Sequence, residues 1–340
     1  MKIQLIVGFL FLFSIQLEAR LSEVDSFLDM HLSNAAIISS KQIKIPHYPN
    51  AYNPSIIPYK DGYLLSFRFI NRFPDALKNQ RTDASFIGLA QLDKKLNVSE
   101  ESVQLLNIAS YSPYFSLTAE DGRLILVGEK IYLFFNDLPP SQRNAFSMYF
   151  AEIVEVGEGF ILKEPAKLLN YPKANEIEKN WSPFVSEGKL YVIYSDQPRI
   201  LLEVNLNTGD CHEIPSTEPD YKWDLGSIRG GSPAGLIGDK FLTFFHSTFP
   251  TKIPKKRAYV MGAYTFDKES PFAVHSITTE PLGALTDYTQ NNSFKVIFPT
   301  GMVVQNHSIL VTWGKGDKQI WLTVFDTEKL LNSMQPVQAQ

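Results

Sequence analysis

A fivefold internal repeat constrains this chain more than any other feature of its sequence. Each copy has a polar or turn-forming start, a hydrophobic stretch, a short turn of Gly, Asp or Asn, and a run of aromatic and β-branched residues. The starts lie about 50 to 70 residues apart, a period typical of radial arrays of sheets. The copies run from Asn53 to Phe67, Glu120 to Phe135, Asn180 to Ser195, Gly231 to Phe245 and Phe298 to Trp313.

Each copy predicts a β-hairpin. The short turns, such as Lys60 to Gly62 and Glu187 to Gly188, carry residue types that suit tight hairpins. With a further strand after each hairpin, the sheets reach about four strands, the usual propeller unit. The sequence therefore predicts an all-β fold, a five-bladed β-propeller with a short N-terminal arm. The expected additional strands are Ser85 to Leu92, Met148 to Val156, Ile200 to Asn205, Tyr259 to Phe266 and Ile320 to Phe325.

The composition is that of a globular protein. With 44% hydrophobic and 13% aromatic residues, a chain of 340 residues can bury a substantial core. The net charge of -4 is spread out, and the basic cluster Lys255 to Arg257 is interpreted as a solvated loop. A basic stripe interleaved with aromatics is missing, so nucleic acid is not an expected partner. The histidines lack metal-ligand spacing, so neither a metal nor another resident cofactor is expected.

The N-terminus is typical of an export signal. Lys2 precedes the apolar run Leu5 to Phe13, which is shorter than the ~20 residues of a membrane span. We expect residues 1–19 to be a signal peptide, the protein to be periplasmic or secreted, and no stable membrane insertion to remain after removal of the signal. Residues 20–50 are expected to form an arm that closes or covers the propeller, residues 51–330 the five blades, and residues 331–340 a flexible tail.

The repeat also predicts where a site lies. The first strand of each blade lines the axis of a propeller, so the starts of the copies converge on one funnel, a default place for a ligand. Polar and charged residues decorate these starts unequally, which a purely structural repeat does not need. They are Asn53 and Arg68 in the first copy, Glu120, Asp121 and Arg123 in the second, Lys179, Asn180 and Trp181 in the third, and Arg229 before the fourth.

Six segments of the chain occur in an order and at a spacing that match a known group. They are Glu120 to Arg123, Lys179 to Phe184, Gly231 to Pro233, Phe245 to Ser247, Tyr259 to Tyr264 and Val296 to Gly301. Together they resemble the five-bladed propellers of glycoside hydrolase family 130, which are β-mannoside phosphorylases and related mannosidases. The resemblance extends over residues 50–328. The chain is also similar to propellers of the family 43 type.

The resemblance implies roles for individual residues. Asp121 matches the family's general acid, which protonates the glycosidic oxygen, and Glu120 is its acidic neighbour. Lys179 and His246 match residues that help to hold inorganic phosphate, the co-substrate of the phosphorylases. The predicted substrate-binding set is completed by Asn53, Arg68, Arg123, Asn180, Trp181 and Arg229.

Two reaction types stay open at this point. An inverting phosphorylase holds phosphate with Arg or Lys, whereas an inverting hydrolase needs a second carboxylate about 6.5 to 9.5 Å from the acid. The chain departs from the family in having Gly122 for Pro and no Arg between Arg143 and Lys179. In a phosphorylase, either Arg143 or Arg229 would then have to bind the phosphate. The candidates for a second carboxylate are Glu120, Asp224, Glu280 and Asp287.

The sequence thus predicts a carbohydrate-active enzyme that hydrolyses or phosphorolyses β-mannoside-type bonds with inversion, with a glycan as its substrate and Asp121 as general acid. The alternative is a non-catalytic propeller that binds glycans or proteins, because one fold hosts both functions. Structural roles also compete at single positions. Asp121 is alternatively a turn residue, and Trp181 and His246 are alternatively core residues.

Overall fold

The computed structural model describes residues 35–72, 83–108, 118–138, 145–221, 223–250, 257–283, 289–290, 293–294 and 296–339. Within these ranges the chain forms five antiparallel sheets of four or more strands, together with two small strand pairs. The sheets follow one another along the chain, and the inner strand of each lies at or next to a start of the sequence repeat. This arrangement confirms the predicted five-bladed, all-β propeller.

Each blade is a meander whose innermost strand begins a repeat. Blade 1 consists of Tyr52–Tyr59, Gly62–Arg72, Asp83–Leu92 and Gln104–Leu105. Blade 2 consists of Glu120–Val127, Lys130–Asp137 and Ser147–Val156, with Gly159–Leu162 and Lys167–Leu168 on its outer edge. Blade 3 consists of Ser182–Ser186, Lys189–Asp196, Arg199–Val204 and Cys211–Ile214.

The inner strand of blade 4 is divided into two pieces. Both pair with the same second strand, and the interruption falls at the segment 230–234. Blade 4 consists of Ser227–Arg229, Gly235–Ile237, Lys240–Pro250, Arg257–Asp267, Val274–Thr278 and Met334–Pro336. Blade 5 consists of Ile297–Val304, Ser308–Lys315, Gln319–Asp326 and Ile37–Ile43. The other described elements are Pro219–Asp220 paired with Gln338–Ala339, Thr289–Gln290 paired with Ser293–Phe294, the 3-10 turn Glu100–Ser102 and the α-helix Thr327–Asn332.

The predicted hairpins and the strands that follow them are confirmed. The turns contain residues with positive φ, such as Lys60 at 48°, Gly128 at 61° and Glu187 at 50°. Tight hairpins between twisted strands require this backbone conformation, and for this reason short Gly- and Asn-type turns predict them well.

The two ends of the described chain are both built into sheets. Ile37–Ile43 pairs antiparallel with Gln319–Asp326 and forms the outer edge of blade 5. At the other end, Met334–Pro336 pairs with Val274–Thr278 in blade 4. Within the segment expected to be a flexible tail, Met334–Pro336 and Gln338–Ala339 are thus paired in strands. Residues 1–19 and the start of the expected arm lie outside the described residues, and none of the described helices is long and apolar enough to span a bilayer.

Aromatic side chains fill the space between blades 3 and 4. Phe184 is fully buried and lies 5.1 to 5.3 Å, between ring centroids, from four other rings. Burying one such side chain stabilises the fold by about 1.5–3 kcal/mol. The rings packed around Phe184 are those of Tyr191, Phe241, Phe266 and Phe272.

Candidate active site

The inner strands of blades 1, 2 and 5 each carry an extra residue near their start. The strand register shifts around Asn53, Asp121 and Thr300. Asn53 (φ 47°) and Asp121 (φ 56°) have left-handed backbone there, as does Asn180 (φ 66°) at the entry to blade 3. Asn and Asp adopt this conformation more readily than most other side-chain-bearing residues. Because a bulge redirects the side chain that it carries, these positions can aim polar groups toward the axis.

The two carboxylate oxygens of Asp121 are in different environments. Oδ1 accepts hydrogen bonds from Nδ2 of Asn53 at 2.8 Å and from a terminal nitrogen of Arg68 at 3.3 Å. Oδ2 accepts none from the described residues, and the side chain is 10% exposed. Burial raises the pKa of Asp121, but the charge of Arg68 and the hydrogen bond from Asn53 outweigh it and hold the pKa below its ordinary value. Asp121 is therefore ionised at neutral pH, with one oxygen left for a ligand.

Glu120 joins three blades through its carboxylate. Oε1 accepts from Arg68 of blade 1 at 2.7 Å, and Oε2 accepts from Nζ of Lys179, before blade 3, at 2.6 Å. Nδ2 of Asn136 also donates to Oε2, at 3.3 Å. The side chains of Arg68 and Glu120 are 13% and 14% exposed, so these charge-assisted bonds are shielded from much of the solvent. Glu120, Arg68, Lys179 and Asp121 thus form one ionic network.

Arg123 supports this network from inside the protein. Its side chain is fully buried, and Nε donates to the carbonyl of Gly231 at 2.7 Å. The terminal nitrogens lie 3.3 Å from the carbonyl oxygen of Asp121 and from Oδ1 of Asn180. Burial lowers the pKa of Arg123 to about 10, which leaves it protonated at neutral pH. The structure thus places the Arg123 guanidinium against protein atoms, behind the network, and its predicted contact with substrate stays a prediction.

His246 is a buried, neutral histidine. Nδ1 lies 3.0 Å from the carbonyl oxygen of Gly230, and the ring packs edge-on against Phe298 at 4.8 Å. A carbonyl only accepts hydrogen bonds, so Nδ1 carries the proton and Nε2 of the neutral ring does not. Burial lowers the pKa of His246 to about 3, despite the opposing effect of this hydrogen bond. The structure therefore places His246 in the core near the site, and the phosphate-holding role implied by the family resemblance stays a prediction.

Trp181 also belongs to the core. Its side chain is 1% exposed, its Nε1 donates to Oε2 of Glu178 at 2.8 Å, and its ring lies 5.1 Å from that of Tyr194. A sugar cannot stack on a ring with both faces covered by protein. The structure therefore favours the alternative in which Trp181 is a core residue.

A pocket of about 380 Å³ opens between blades 3 and 4, next to the ionic network. Arg229 on its wall is exposed, and its guanidinium makes no hydrogen bond or ion pair with the described part of the chain. The carboxylates on the pocket wall are buried and already have partners: Glu178 is bonded to Trp181, and Asp196 accepts from the hydroxyl of Tyr264 at 2.6 Å. The cationic groups that line the pocket are Lys179 and Arg229. Its polar lining includes Asn175, Lys179, Asn180, Ser195 and Arg229.

Sequence reasoning missed Asp317. This residue lies in the turn between Ser308–Lys315 and Gln319–Asp326, with φ at 52°. Partial desolvation, and then the charge of Asp121, raise the pKa of Asp317, although its side chain keeps contact with solvent. It therefore faces the same network from blade 5. Asp317 follows the second strand of its blade, whereas the sequence repeat draws attention to the starts of the first strands.

A second missed carboxylate is Asp137, at the end of Lys130–Asp137. It accepts from the hydroxyl of Thr118 and from the backbone N–H of Leu138, while its Oδ2 is buried with no hydrogen-bond partner. Burial raises the pKa of Asp137 to about 7. The charge of Glu120 makes a smaller contribution in the same direction.

The other expected site residues are less central. Of the proposed second carboxylates, Glu120 lies in the network, Asp224 is exposed before blade 4, and Glu280 follows Val274–Thr278. Arg143 and Asp287 lie outside the described residues. No group of three or more His, Cys, Asp or Glu side chains within the described ranges could hold a metal ion.

Comparison with known proteins shows the family to which the chain belongs. Residues 20–336 match the family model described as beta-1,4-mannooligosaccharide phosphorylase, of glycoside hydrolase family 130. The fold is similar to that of a β-1,2-mannobiose phosphorylase from Listeria innocua, with a TM-score of 0.60 and 15% identity over 90% of this chain and 95% of that one. It is also similar to MPT-4, a mannose phosphorylase from Leishmania mexicana, with a TM-score of 0.59 and 13% identity over 96% and 98% of the two chains.

A local likeness connects the chain to a transferase. Beta-mannosyltransferase 3 of Candida albicans is 33% identical over 79 residues, which are 21% of this chain and only 14% of that protein. The match to the family model, in contrast, extends over nearly the whole sequence. This protein is therefore a member of glycoside hydrolase family 130, the family of β-mannoside phosphorylases and hydrolases.

Proposed function

We propose that this protein breaks β-mannosidic bonds of mannooligosaccharides with inversion, and that Asp121 protonates the leaving glycosidic oxygen. One observation carries the assignment of the acid. Oδ1 of Asp121 is held by Asn53 and Arg68, whereas Oδ2 accepts no hydrogen bond from the described residues. A carboxyl group oriented through one oxygen and open at the other is suited to transfer a proton to a bound ligand.

The proposed reaction is a displacement at the anomeric carbon. The proton moves from Asp121 to the glycosidic oxygen as the bond from C1 to that oxygen breaks. An oxygen of inorganic phosphate forms the new bond to C1 from the opposite face. The products are α-mannose 1-phosphate and the shortened glycan. In hydrolysis, water takes the place of phosphate and a second carboxylate accepts its proton.

The ionisation of Asp121 affects the direction of the reaction. A general acid must be protonated before it acts, whereas the unliganded site holds the pKa of Asp121 below its ordinary value. The forward reaction therefore needs a low pH or a change of electrostatics when ligands bind.

A second candidate is mannosyl transfer in the synthetic direction, which the same observation favours. An ionised Asp121 can accept the proton of an acceptor hydroxyl while the acceptor oxygen attacks C1 of mannose 1-phosphate and phosphate departs. The local likeness to a β-mannosyltransferase also supports transfer.

The test is product release from β-1,4- and β-1,2-mannobiose, with and without inorganic phosphate. We expect phosphate-dependent mannose 1-phosphate from the wild type, and turnover about 10²- to 10⁴-fold lower in Asp121→Asn. The exposed Asp239→Asn is the matched control and should keep full activity. Free mannose without phosphate would assign hydrolysis. Binding of the sugars with no turnover in either direction would refute catalysis and leave a glycan-binding propeller.

A further inference from the structure

The carboxylate of Glu120 accepts hydrogen bonds from two cations, and each of these cations also contacts another part of the site. Arg68 reaches Oε1 at 2.7 Å with one terminal nitrogen and Asp121 at 3.3 Å with the other. Lys179 reaches Oε2 at 2.6 Å and also lines the pocket between blades 3 and 4. A change in the way Glu120 holds these cations is therefore transmitted to Asp121.

The pocket can compete with Glu120 for Lys179. The Lys179 side chain is 33% exposed, and Arg229 on the same wall is exposed without an ion pair among the described residues. An oxyanion bound between these two cations draws the ammonium of Lys179 away from Glu120. It also adds negative charge beside Glu120 and Asp121. Both effects favour the protonated form of a nearby carboxylate.

We propose that Glu120 is a positioning residue that couples the binding of a phosphate-like oxyanion in this pocket to the protonation of Asp121. The inference rests on the proposed function for the use of that proton. It names an event that prepares the acid, because occupation of the pocket raises the fraction of Asp121 that is protonated at a given pH. The oxyanion is either inorganic phosphate or the phosphate group of a sugar phosphate, which have the same charge and hydrogen-bonding groups.

Several charged or titratable groups face Asp121 from neighbouring elements. Burial raises the pKa of Tyr52 and lowers that of His246, so both are neutral from about pH 4 to pH 8. The two arginines keep their charge throughout this range. Asp317 titrates close to Asp121 and has to be separated from it experimentally. The full set is Tyr52, Arg68, Glu120, Arg123, Lys179, His246 and Asp317.

The test is an NMR titration of the full chain labelled with ¹³C at the aspartate carboxyl carbons. The Asp121 signal is assigned by its absence in Asp121→Asn, and Asp317→Asn separates the titration of Asp317. Sulfate is the first probe because, unlike phosphate, it does not titrate between about pH 3 and pH 8, and sodium chloride at equal ionic strength is the reference. Inorganic phosphate and mannose 1-phosphate then distinguish the two sources of the oxyanion.

In the wild type, we expect saturating sulfate to raise the titration midpoint of Asp121 by about one pH unit or more. Without sulfate, Glu120→Gln should lower the titration midpoint of Asp121, because a nearby negative charge is lost and Arg68 is released toward Asp121. The same substitution should reduce the shift that sulfate causes. Arg229→Gln should raise the sulfate concentration required. Glu155→Gln is the control, because Glu155 binds Lys60 at the same 2.6 Å on the surface, and it should behave as the wild type.

The proposal is overturned if the Asp121 midpoint is the same with and without sulfate, or if Glu120→Gln responds as the wild type does. Unchanged sulfate affinity in Arg229→Gln would overturn the assignment of the pocket. Turnover assays separate this inference from the proposed function. Phosphorolysis with an unresponsive Asp121 would refute the coupling alone, whereas a responsive Asp121 without turnover would refute the enzymatic function alone.

Discussion

The side-chain amide of Asn53 in blade 1 donates a 2.8 Å hydrogen bond to Oδ1 of Asp121 in blade 2. Both residues lie at bulges and have left-handed backbone, so two strained positions support one another. Blade 5 takes part as well, because the position of a Cβ at Gly314 is only 2.1 Å from Oδ1 of Asn53. The orientation of Asp121 therefore depends on a glycine three blades further along the sequence.

Gly314→Ala should reduce activity without touching the ligand site. The added methyl group has to displace Asn53, which weakens its hydrogen bond to Asp121 and destabilises the protein by about 1–3 kcal/mol. The measurements are turnover and urea unfolding. The control is Gly238→Ala, where the added Cβ meets no atom within 4 Å and φ is 61°. Gly238→Ala should lower the free energy of unfolding by about 1 kcal/mol through backbone strain and leave turnover unchanged. Equal turnover in both variants would contradict the dependence of Asp121 on Gly314.

The contribution of Asp121 to stability should depend on pH in one direction. A carboxyl group whose folded-state pKa is depressed stabilises the fold above its unfolded pKa, and this is lost as pH falls through the folded pKa. The difference in unfolding free energy between wild type and Asp121→Asn should therefore be largest above about pH 5 and shrink below about pH 4. Urea titrations across this range measure it. A difference that grows on acidification would show that the pKa is raised.

Trp181→Phe should affect stability and not substrate binding. The substitution removes the Nε1 donor and leaves the buried Glu178 carboxylate short of one hydrogen bond, at a cost of about 1.5–3 kcal/mol. Trp223→Phe is the matched control, because its Nε1 donates to the neutral hydroxyl of Ser247 at 2.7 Å. It should cost less, about 0.5–1.5 kcal/mol. A raised KM at unchanged stability in Trp181→Phe would return Trp181 to the substrate site.

His246 should stay neutral well below the pH at which an ordinary histidine gains its proton. Burial lowers its pKa to about 3. ¹⁵N NMR of the ring nitrogens should show the Nδ1-protonated neutral form, whose proton is donated to the Gly230 carbonyl, at pH values down to about 5. The surface histidine His212 provides the reference signal. A titration of His246 near pH 6.5 would restore its implied role as a cationic phosphate ligand.

The sequence was informative where a structural signal is local. Turn residues such as Lys60 and Gly128 specify hairpins within a few positions of the chain, and the repeated starts pointed to Asn53 and Asp121. Burial was harder to foresee, because it depends on which neighbouring blade covers a side chain. Arg123 and His246 have polar side chains in a motif that suggests ligand contact, and only the packing of other blades shows that they are enclosed. Asp317 was missed since it belongs to a turn outside the repeated starts.

The pairing of Ile37–Ile43 with Gln319–Asp326 has a consequence for synthesis of the protein. The first strand of the described residues pairs with one that is synthesised about 280 residues later. A nascent chain on the ribosome can form its earlier blades in turn, but Ile37–Ile43 stays without this partner until residues 319–326 have emerged. A circular permutant opened at the tip of an exposed hairpin would instead synthesise these two strands consecutively, and the comparison would show whether late closure slows maturation.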